Sequence, residues 1–368
     1  MSQPQGKGKP ILIFPAGMPR SLEYLERCQR NGQAVIGSSS LAYDISRTEY
    51  PAWAHLPYVT DPEFKNALRR VIIEHGIGGI YTPNPVAWTI LNNALQDFGG
   101  EVVLVNAWPV DEELSPYRAA IARARQMHAA ALPLASSVKA RAHMPEQELS
   151  ALLRHASTIP GMCDDEKIGA LCEIARHCTS GDVVEIGSAY GKSAFVLAQL
   201  AGYYGIGKTL CVDPWKSEYL VQHDAAGLVD ESIASYDPDE TLRVFEINLL
   251  PYNKDNINYL RLPSSAGAQH YGARREVHSD AFGTTRYSGG IALLHIDGNH
   301  HYDSVFDDAR RWSPYLVPGA WIVFDDYIWP YGDGPKRVGD EFLAQHGERI
   351  SSAFVMGTAL FLQMKNEP

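Results

Sequence analysis

The sequence predicts two α/β units in series: a smaller Rossmann-like domain, then a Rossmann-like sheet that is mixed, mostly parallel and finished by an antiparallel last strand. Three observations predict it. Short apolar runs alternate with helix-length amphipathic segments through both halves, the pattern of βαβ units around parallel sheets. A helical, alanine-rich stretch separates the halves. The second half carries GDVVEIGSAYGKS (residues 181–193), an apolar run ending in a glycine-rich turn just before a helix. In an open α/β sheet such a turn lies at the carboxyl end of a strand, where nucleotide-like ligands sit.

The first half opens with the strand ILIFPAG (residues 11–17) and the helix SLEYLERCQRNG, in which Leu22, Leu25 and Cys28 recur at helical spacing and Gly32 serves as the C-cap. The strand QAVIGSSS follows, then an irregular stretch. Asp61 and Pro62 open the helix PEFKNALRRVIIEHG; the strand GGIYTPN, the helix VAWTILNNALQDFG and the strand EVVLVNA complete a small parallel sheet. From Asp111 to about Pro160 the pattern is helical and punctuated by Pro133, Pro145 and Pro160. The expected division is therefore a domain over 1–112, a connector over 113–160 and a second domain over 161–368. That second domain starts with the helix DDEKIGALCEIARHC. After the glycine-rich turn its strands are TLCVDPW, INYLRLP, IALLHID, AWIVFDD and the terminal, hairpin-like AFVMGTALFLQMK.

Composition narrows the function. The 368 residues are 45% hydrophobic and 20% charged, with a net charge of −11 and a pI near 5.6. A groove tracking nucleic-acid phosphates is thus not expected as the main surface. The five cysteines are odd in number and lack CxxC spacing, which argues for reduced thiols and against a zinc site or a disulfide frame. The N-terminus lacks a signal-type apolar core, and no run of about 18 apolar residues occurs, so a soluble, cytoplasmic protein with no membrane partner is expected.

The turn alone leaves the ligand open among a nicotinamide, a flavin and S-adenosylmethionine. Gly187 and Gly191 are four apart, which is not the GxGxxG of dinucleotide binders, and Gly187 and Lys192 have the wrong interval for a phosphate-binding Walker loop. Glu185 precedes the first glycine, and Asp213 ends the next strand, where a carboxylate would hold a ribose diol. A purely structural turn with a capping acid would give the same residues. Asp297 ends IALLHID, and Asp325 and Asp326 end AWIVFDD, so three carboxylates are expected to converge at one sheet edge. Crowding them costs energy unless a metal or a cationic partner is present. Oxygen ligands without cysteine suit a hard ion such as Mg²⁺ or another divalent cation. Turn or helix-capping roles for Asp297 and Asp325 remain the plain alternative.

On VEIGSAYGKS, the acid of VDPW, HIDGNHHYD, PGAWIVFDDY and the lead-in IPGMCDDEK, the chain from about Gly161 onward resembles the class I S-adenosylmethionine-dependent methyltransferases. Within them it is similar to the group of metal-dependent sugar and macrolide O-methyltransferases and cephalosporin hydroxylase-like proteins. The resemblance implies that Gly187, Ser188 and Gly191 approach the methionine part of the cofactor, with Glu185 beneath and Ser193 opening the helix. It implies Asp213 at the ribose, Ser264 and Ser265 at the adenine edge, and Asp297, Asp325 and Asp326 around the metal. His300, three residues past Asp297, would take the proton from the acceptor hydroxyl, making His300 and Asp297 the catalytic pair, with His301 the local rival. Tyr327, Trp329 and Tyr331 either stack on an acceptor or pack the loop. Substrate choice is expected in two insertions, AAGLVDESIASYDPDE and SSAGAQHYGARREVHSDAFGTTRYSGG.

The first half resembles, at pattern level, the pre-ATP-grasp domain of carboxylate-amine ligases, on ILIFPAG, VIGSSS and DPEFKNALRRVIIEHGIGGIYTPN. No ATP-grasp module follows it, so ligase activity is not implied. Gly17 and Ser38 to Ser40 line its strand ends; it binds substrate, builds a homo-oligomer interface, or serves as a scaffold. The leading function is therefore O-methylation of a hydroxylated small molecule. The alternatives are a nicotinamide-dependent oxidoreductase, which leaves the three aspartates unexplained, and a non-catalytic S-adenosylmethionine-binding protein.

Overall fold

Alternating short apolar strands and amphipathic helices build two parallel-sheet units in the computed structural model, which describes residues 8–130, 132–221, 227–233, 235–252 and 255–366. The chain divides into Met1–Ala119 and Ala120–Pro368.

The first unit runs β1 (Ile11–Ile13), α1 (Pro19–Arg30), β2 (Val35–Ser39), β3 (Trp53–His55), α2 (Phe64–His75), β4 (Gly79–Tyr81), α3 (Pro85–Leu95) and β5 (Val103–Leu104), ending inside α4 (Pro109–Ala129). Its sheet has the order β3-β2-β1-β4-β5, with every neighbouring pair parallel. Leu12, Ile36 and Ile80 supply the buried strand faces against Leu68, Ile72 and Leu91 of the helices. The strand β3 lies in the stretch expected to be irregular. Only three residues long and bracketed by Pro51 and Pro57, it gives too short a run for periodicity to register.

The second unit continues with α5 (Glu146–Ala156), α6 (Asp165–Arg176), β6 (Asp182–Ile186), α7 (Lys192–Tyr204), β7 (Thr209–Val212), α8 (Leu228–Ile233), α9 (Pro238–Leu249), β8 (Ile257–Leu260) and α10 (Ser264–Arg274). Then come β9 (Glu276–Ser279), β10 (Gly283–Arg286), β11 (Ile291–Ile296), α11 (Tyr302–Trp312), β12 (Leu316–Phe324), α12 (Gly334–His346), β13 (Ile350–Met356) and β14 (Ala359–Met364). The seven-stranded sheet has the order β13-β14-β12-β11-β6-β7-β8. The strand β14 is antiparallel to both neighbours, so the antiparallel member sits between β12 and β13 rather than at the edge. Both faces of the sheet are covered, one around Phe195, Trp321 and Phe361, the other around Leu294, Trp312 and Phe324. That is why β6, β11 and β12 read as near-continuous apolar runs.

Strand order reverses between β6 and β11, so their carboxyl ends flank a switch-point crevice. Glu185 lies opposite His295 and Ile186 opposite Ile296, which puts Gly187 and Asp297 next to one another. The His- and Arg-rich insertion becomes α10 and the hairpin β9–β10. Asn258, near the start of β8, holds the hairpin through the carbonyls of Val277 and Gly283, and the Tyr287 hydroxyl donates to the carbonyl of Thr209 at the start of β7. These are amino-terminal strand ends, so the hairpin is not at the edge where substrate choice was expected, and only the start of α10, just beyond β8, lies there. The other insertion lies partly outside the described residues, at 225, 226 and 234. Among the described residues no helix is long and apolar enough to cross a membrane.

Candidate active site

The glycine turn is fastened from three sides. Gly187 has φ +79°, and a Cβ there would lie 2.1 Å from the carbonyl oxygen of Asp297, so the turn packs backbone against backbone on the loop after β11. A side chain at this position is excluded both by conformation and by contact. Asp213 Oδ2 accepts the backbone N–H groups of Ser188 (3.0 Å) and Ala189 (3.1 Å), and its Oδ1 accepts that of Trp215 (2.8 Å). Burial raises the Asp213 pKa, against the pull of these N–H groups. The Trp215 indole N–H returns to the carbonyl of Ala189 at 3.1 Å. Beneath the turn, buried Glu185 accepts the Ser188 hydroxyl at 2.6 Å.

From Glu185 an ionisable chain crosses to the acids of β11 and β12. His295 Nδ1 meets Glu185 Oε1 at 3.2 Å, and His295 Nε2 lies 3.3 Å from Asp325 Oδ2. The same carboxylate oxygen takes the ammonium of Lys167, from the first turn of α6, and Lys167 Nζ is 4.0 Å from Asp297 Oδ2. Asp325 Oδ1 accepts the backbone N–H of Asp326 at 2.9 Å. Burial works against the charge on His295, but the bonds to Asp325 and Glu185 and the charge of Asp297 raise its pKa to about 10. Burial likewise opposes the charge on Lys167, and Asp297 and Asp325 raise its pKa above the ordinary lysine value. Burial also opposes ionisation of Asp325, yet the His295 bond and the Lys167 charge hold its carboxyl well below the usual range. Burial and the neighbouring Asp325 push the carboxyl of Asp297 up.

The acids expected to share one edge therefore separate into two kinds. Asp325 is 1% exposed at its side chain and committed to Lys167, while Asp297 (24%) and Asp326 (23%) open outward. His300 joins them, with Nε2 at 3.0 Å from Asp326 Oδ2, and ligand atoms of Asp297, His300 and Asp326 all lie within 4.8 Å of one another. His301 turns away: it precedes α11, and its Nδ1 is 3.9 Å from Asp303. A Cβ on Gly334 would lie 2.1 Å from the carbonyl oxygen of His300, so the start of α12 packs directly on this loop. Trp329 is edge-on to His300 at 4.3 Å, whereas the Tyr327 hydroxyl donates to Asp340 on α12 and so packs its loop.

Ser193 is buried in the first turn of α7, and Gly191 (φ +89°) precedes that helix. Ser264 and Ser265 begin α10 directly beyond β8, with Ser264 Oγ accepting the Trp312 indole N–H at 2.9 Å, so Ser265 is the freer of the pair. Lys167 and His295 had no role in the sequence reading. The sign for His295 was a single polar residue inside the otherwise apolar IALLHI. The lysine carried no such sign, since DDEK at a helix start reads as solvated charge.

Behind Ser264 lies buried Asp308 of α11, whose pKa burial raises to about 7 from 3.8. The folded value lies above the unfolded one. Its favourable contribution is therefore complete below the unfolded value and lost as pH rises through the folded one. Asp308→Asn, which stays neutral, is expected to narrow the drop in urea midpoint between about pH 5 and about pH 8. An unchanged drop would remove Asp308 as its source.

Residues 184–327 match a family model described as a methyltransferase domain. A Sinorhizobium fredii protein, y4gI, is 25% identical over 145 residues, which is 39% of this chain and 13% of that protein's length. Among solved structures, the O-methyltransferase NovP is 15% identical with a TM-score of 0.38, over 61% of this chain and 83% of its own. The calicheamicin methyltransferase CalS11 is 15% identical with a TM-score of 0.39, over 70% of this chain and 94% of its own. The stretch matched by the family model begins on β6, ends just past Asp326 and contains the turn, Asp213, Asp297 and His300. Residues 184–327 of this chain are thus similar to a methyltransferase domain.

Proposed function

We propose that the second unit is a divalent-cation-assisted O-methyltransferase that uses S-adenosylmethionine to methylate a hydroxyl of a small molecule, a sugar or a glycosylated natural product. The observation that carries this reading is the direct contact between the glycine turn and the acid loop, with Gly187 against the backbone of Asp297. A methyl donor on the turn and a hydroxyl at the acids would be neighbours, and proximity with alignment supplies much of the rate in such transfers. The sugar class follows from the motif resemblance.

The residues suit a hard cation. Mg²⁺ needs only one or two carboxylates and takes its other oxygens from water and substrate, and Asp297 and Asp326 offer two outward-facing carboxylates. Such an ion, when bound, lowers the pKa of a coordinated hydroxyl. Asp326 pairs with the His300 imidazole at 3.0 Å, and that imidazole would accept the acceptor's proton as the oxygen–methyl bond forms and the methyl–sulfur bond breaks. Asp213 has used three of the roughly four acceptor positions of a carboxylate, leaving capacity for a ribose hydroxyl.

Calorimetric titration of the full chain with S-adenosylmethionine and S-adenosylhomocysteine, with and without Mg²⁺, tests the reading. Both should bind, and a screen of sugars and glycosides should then yield an acceptor whose turnover rises with Mg²⁺. A folded sample that binds neither would overturn the proposal and return the nicotinamide alternative.

A further inference from the structure

We propose that Lys167 is a cation built into the acid cluster, which withdraws Asp325 from metal binding and sets how weakly a divalent ion is held by Asp297 and Asp326. This rests on the cation-assisted reading above and adds a residue to it.

The lysine stands where local chemistry disfavours it. It occupies the first turn of α6, its backbone N–H donating to the N-cap Asp164 at 2.7 Å. The positive end of a helix favours acids, and Asp165 and Glu166 beside it obey that preference. The Lys167 side chain is 4% exposed, and a buried ammonium is costly unless paired. The structure pairs it with the carboxylate of Asp325 and sets it 4.0 Å from Asp297. A local conflict of this kind, compensated only by groups remote in sequence, is typical of a functional site.

Asp325 has little capacity left for an ion, because three of the roughly four acceptor positions of its carboxylate are taken. Its Oδ2 faces both Lys167 and His295, and its Oδ1 accepts the N–H of Asp326. While Lys167 holds Asp325, the outward-facing Asp297 and Asp326 are the acids left open to a metal; His295, Asp297 and Asp325 also lie within ligand range of one another, and the ammonium sits against that set. The ammonium also repels any second cation near Asp297, and repulsion at such range is strong where water is scarce. Neutralising Lys167 removes that repulsion and frees Asp325 to turn toward an ion.

The sign of the prediction separates this role from a structural one, because a damaged fold weakens metal binding and cannot strengthen it. Mn²⁺ is titrated calorimetrically into the full-length protein and into Lys167→Met and Lys167→Arg. Lys167→Met should bind Mn²⁺ at least about tenfold tighter than the parent, while Lys167→Arg, which keeps the charge, should stay within about threefold. Equal or weaker affinity in Lys167→Met, or no binding by parent and variant alike, would overturn the proposal, provided near-UV circular dichroism shows a native fold. If Lys167→Met does not fold, Lys167→Gln, which still donates a hydrogen bond to Asp325, gives the same reading. S-adenosylhomocysteine titrated into the same samples keeps the two questions apart. Its failure to bind the parent strikes the methyltransferase reading, and the Mn²⁺ affinity ratio strikes or supports the lysine.

Discussion

His300→Gln is expected to lower kcat about 10²- to 10⁴-fold with any acceptor the parent uses, the usual range for loss of a general base. S-adenosylhomocysteine affinity should stay within about threefold, because His300 lies across the crevice from the turn proposed to hold the cofactor. The expectation rests on position. His300 is 14% exposed at its side chain, against Asp326 on one side and Trp329 on another, so its ring is held rather than free to swing. Glutamine keeps a polar group of similar reach and cannot carry the proton away. His301→Gln is the internal comparison, since that residue faces Asp303, and it should change kcat by less than about threefold. Equal losses in the two variants would show that the loop, and not the imidazole of His300, was damaged. Undiminished turnover in His300→Gln would assign proton removal to Asp297.

What the sequence made legible is whatever strand chemistry marks locally. An apolar run ending in an acid or a glycine announces a strand end at the switch-point edge, and Glu185, Gly187, Asp213, Asp297 and Asp326 all stand at such ends. What it hid are partnerships between distant segments. Lys167 and Asp325 are 158 positions apart, and nothing within DDEKIG distinguishes a lysine that turns inward from one that stays in water. The three carboxylates read alike in the sequence for the same reason. Asp325 and Asp326 are adjacent, yet Asp325 turns into the sheet interior, while the backbone at Asp326 adopts φ +49° and its carboxylate opens toward His300. The alternative posed by charge crowding, a metal or a cationic partner, is thereby divided within one cluster. A lysine serves one acid, and two acids stay open. Short elements were lost too: β3 and the hairpin β9–β10 hold four residues or fewer per strand, below the length at which alternation can be told from chance.

His295→Leu is expected to destabilise the protein by about 3–5 kcal/mol, the range for breaking a buried ionic pair by removing one partner. The imidazole is fully buried and lies between two buried carboxylates, Glu185 and Asp325. Leucine fills a similar volume, so the loss is not one of packing. After the substitution Glu185 retains the Ser188 hydroxyl at 2.6 Å, and Asp325 retains Lys167 and one backbone N–H. Glu185 therefore bears most of the cost, as a carboxylate with no charged partner in an apolar sheet. It can respond by shifting, which drags Ser188 and the turn with it. That response couples stability to cofactor affinity. The urea midpoint should fall, and S-adenosylhomocysteine should bind the folded fraction at least about tenfold more weakly, since Ser188 belongs to the turn. Adding Glu185→Gln to His295→Leu should restore a large part of the stability, because a neutral amide needs no counter-charge. A loss below about 1 kcal/mol in the single variant, or no recovery in the double, would mean that charge pairing between His295 and Glu185 contributes little, and that the chain from turn to acids is held by hydrogen bonds alone.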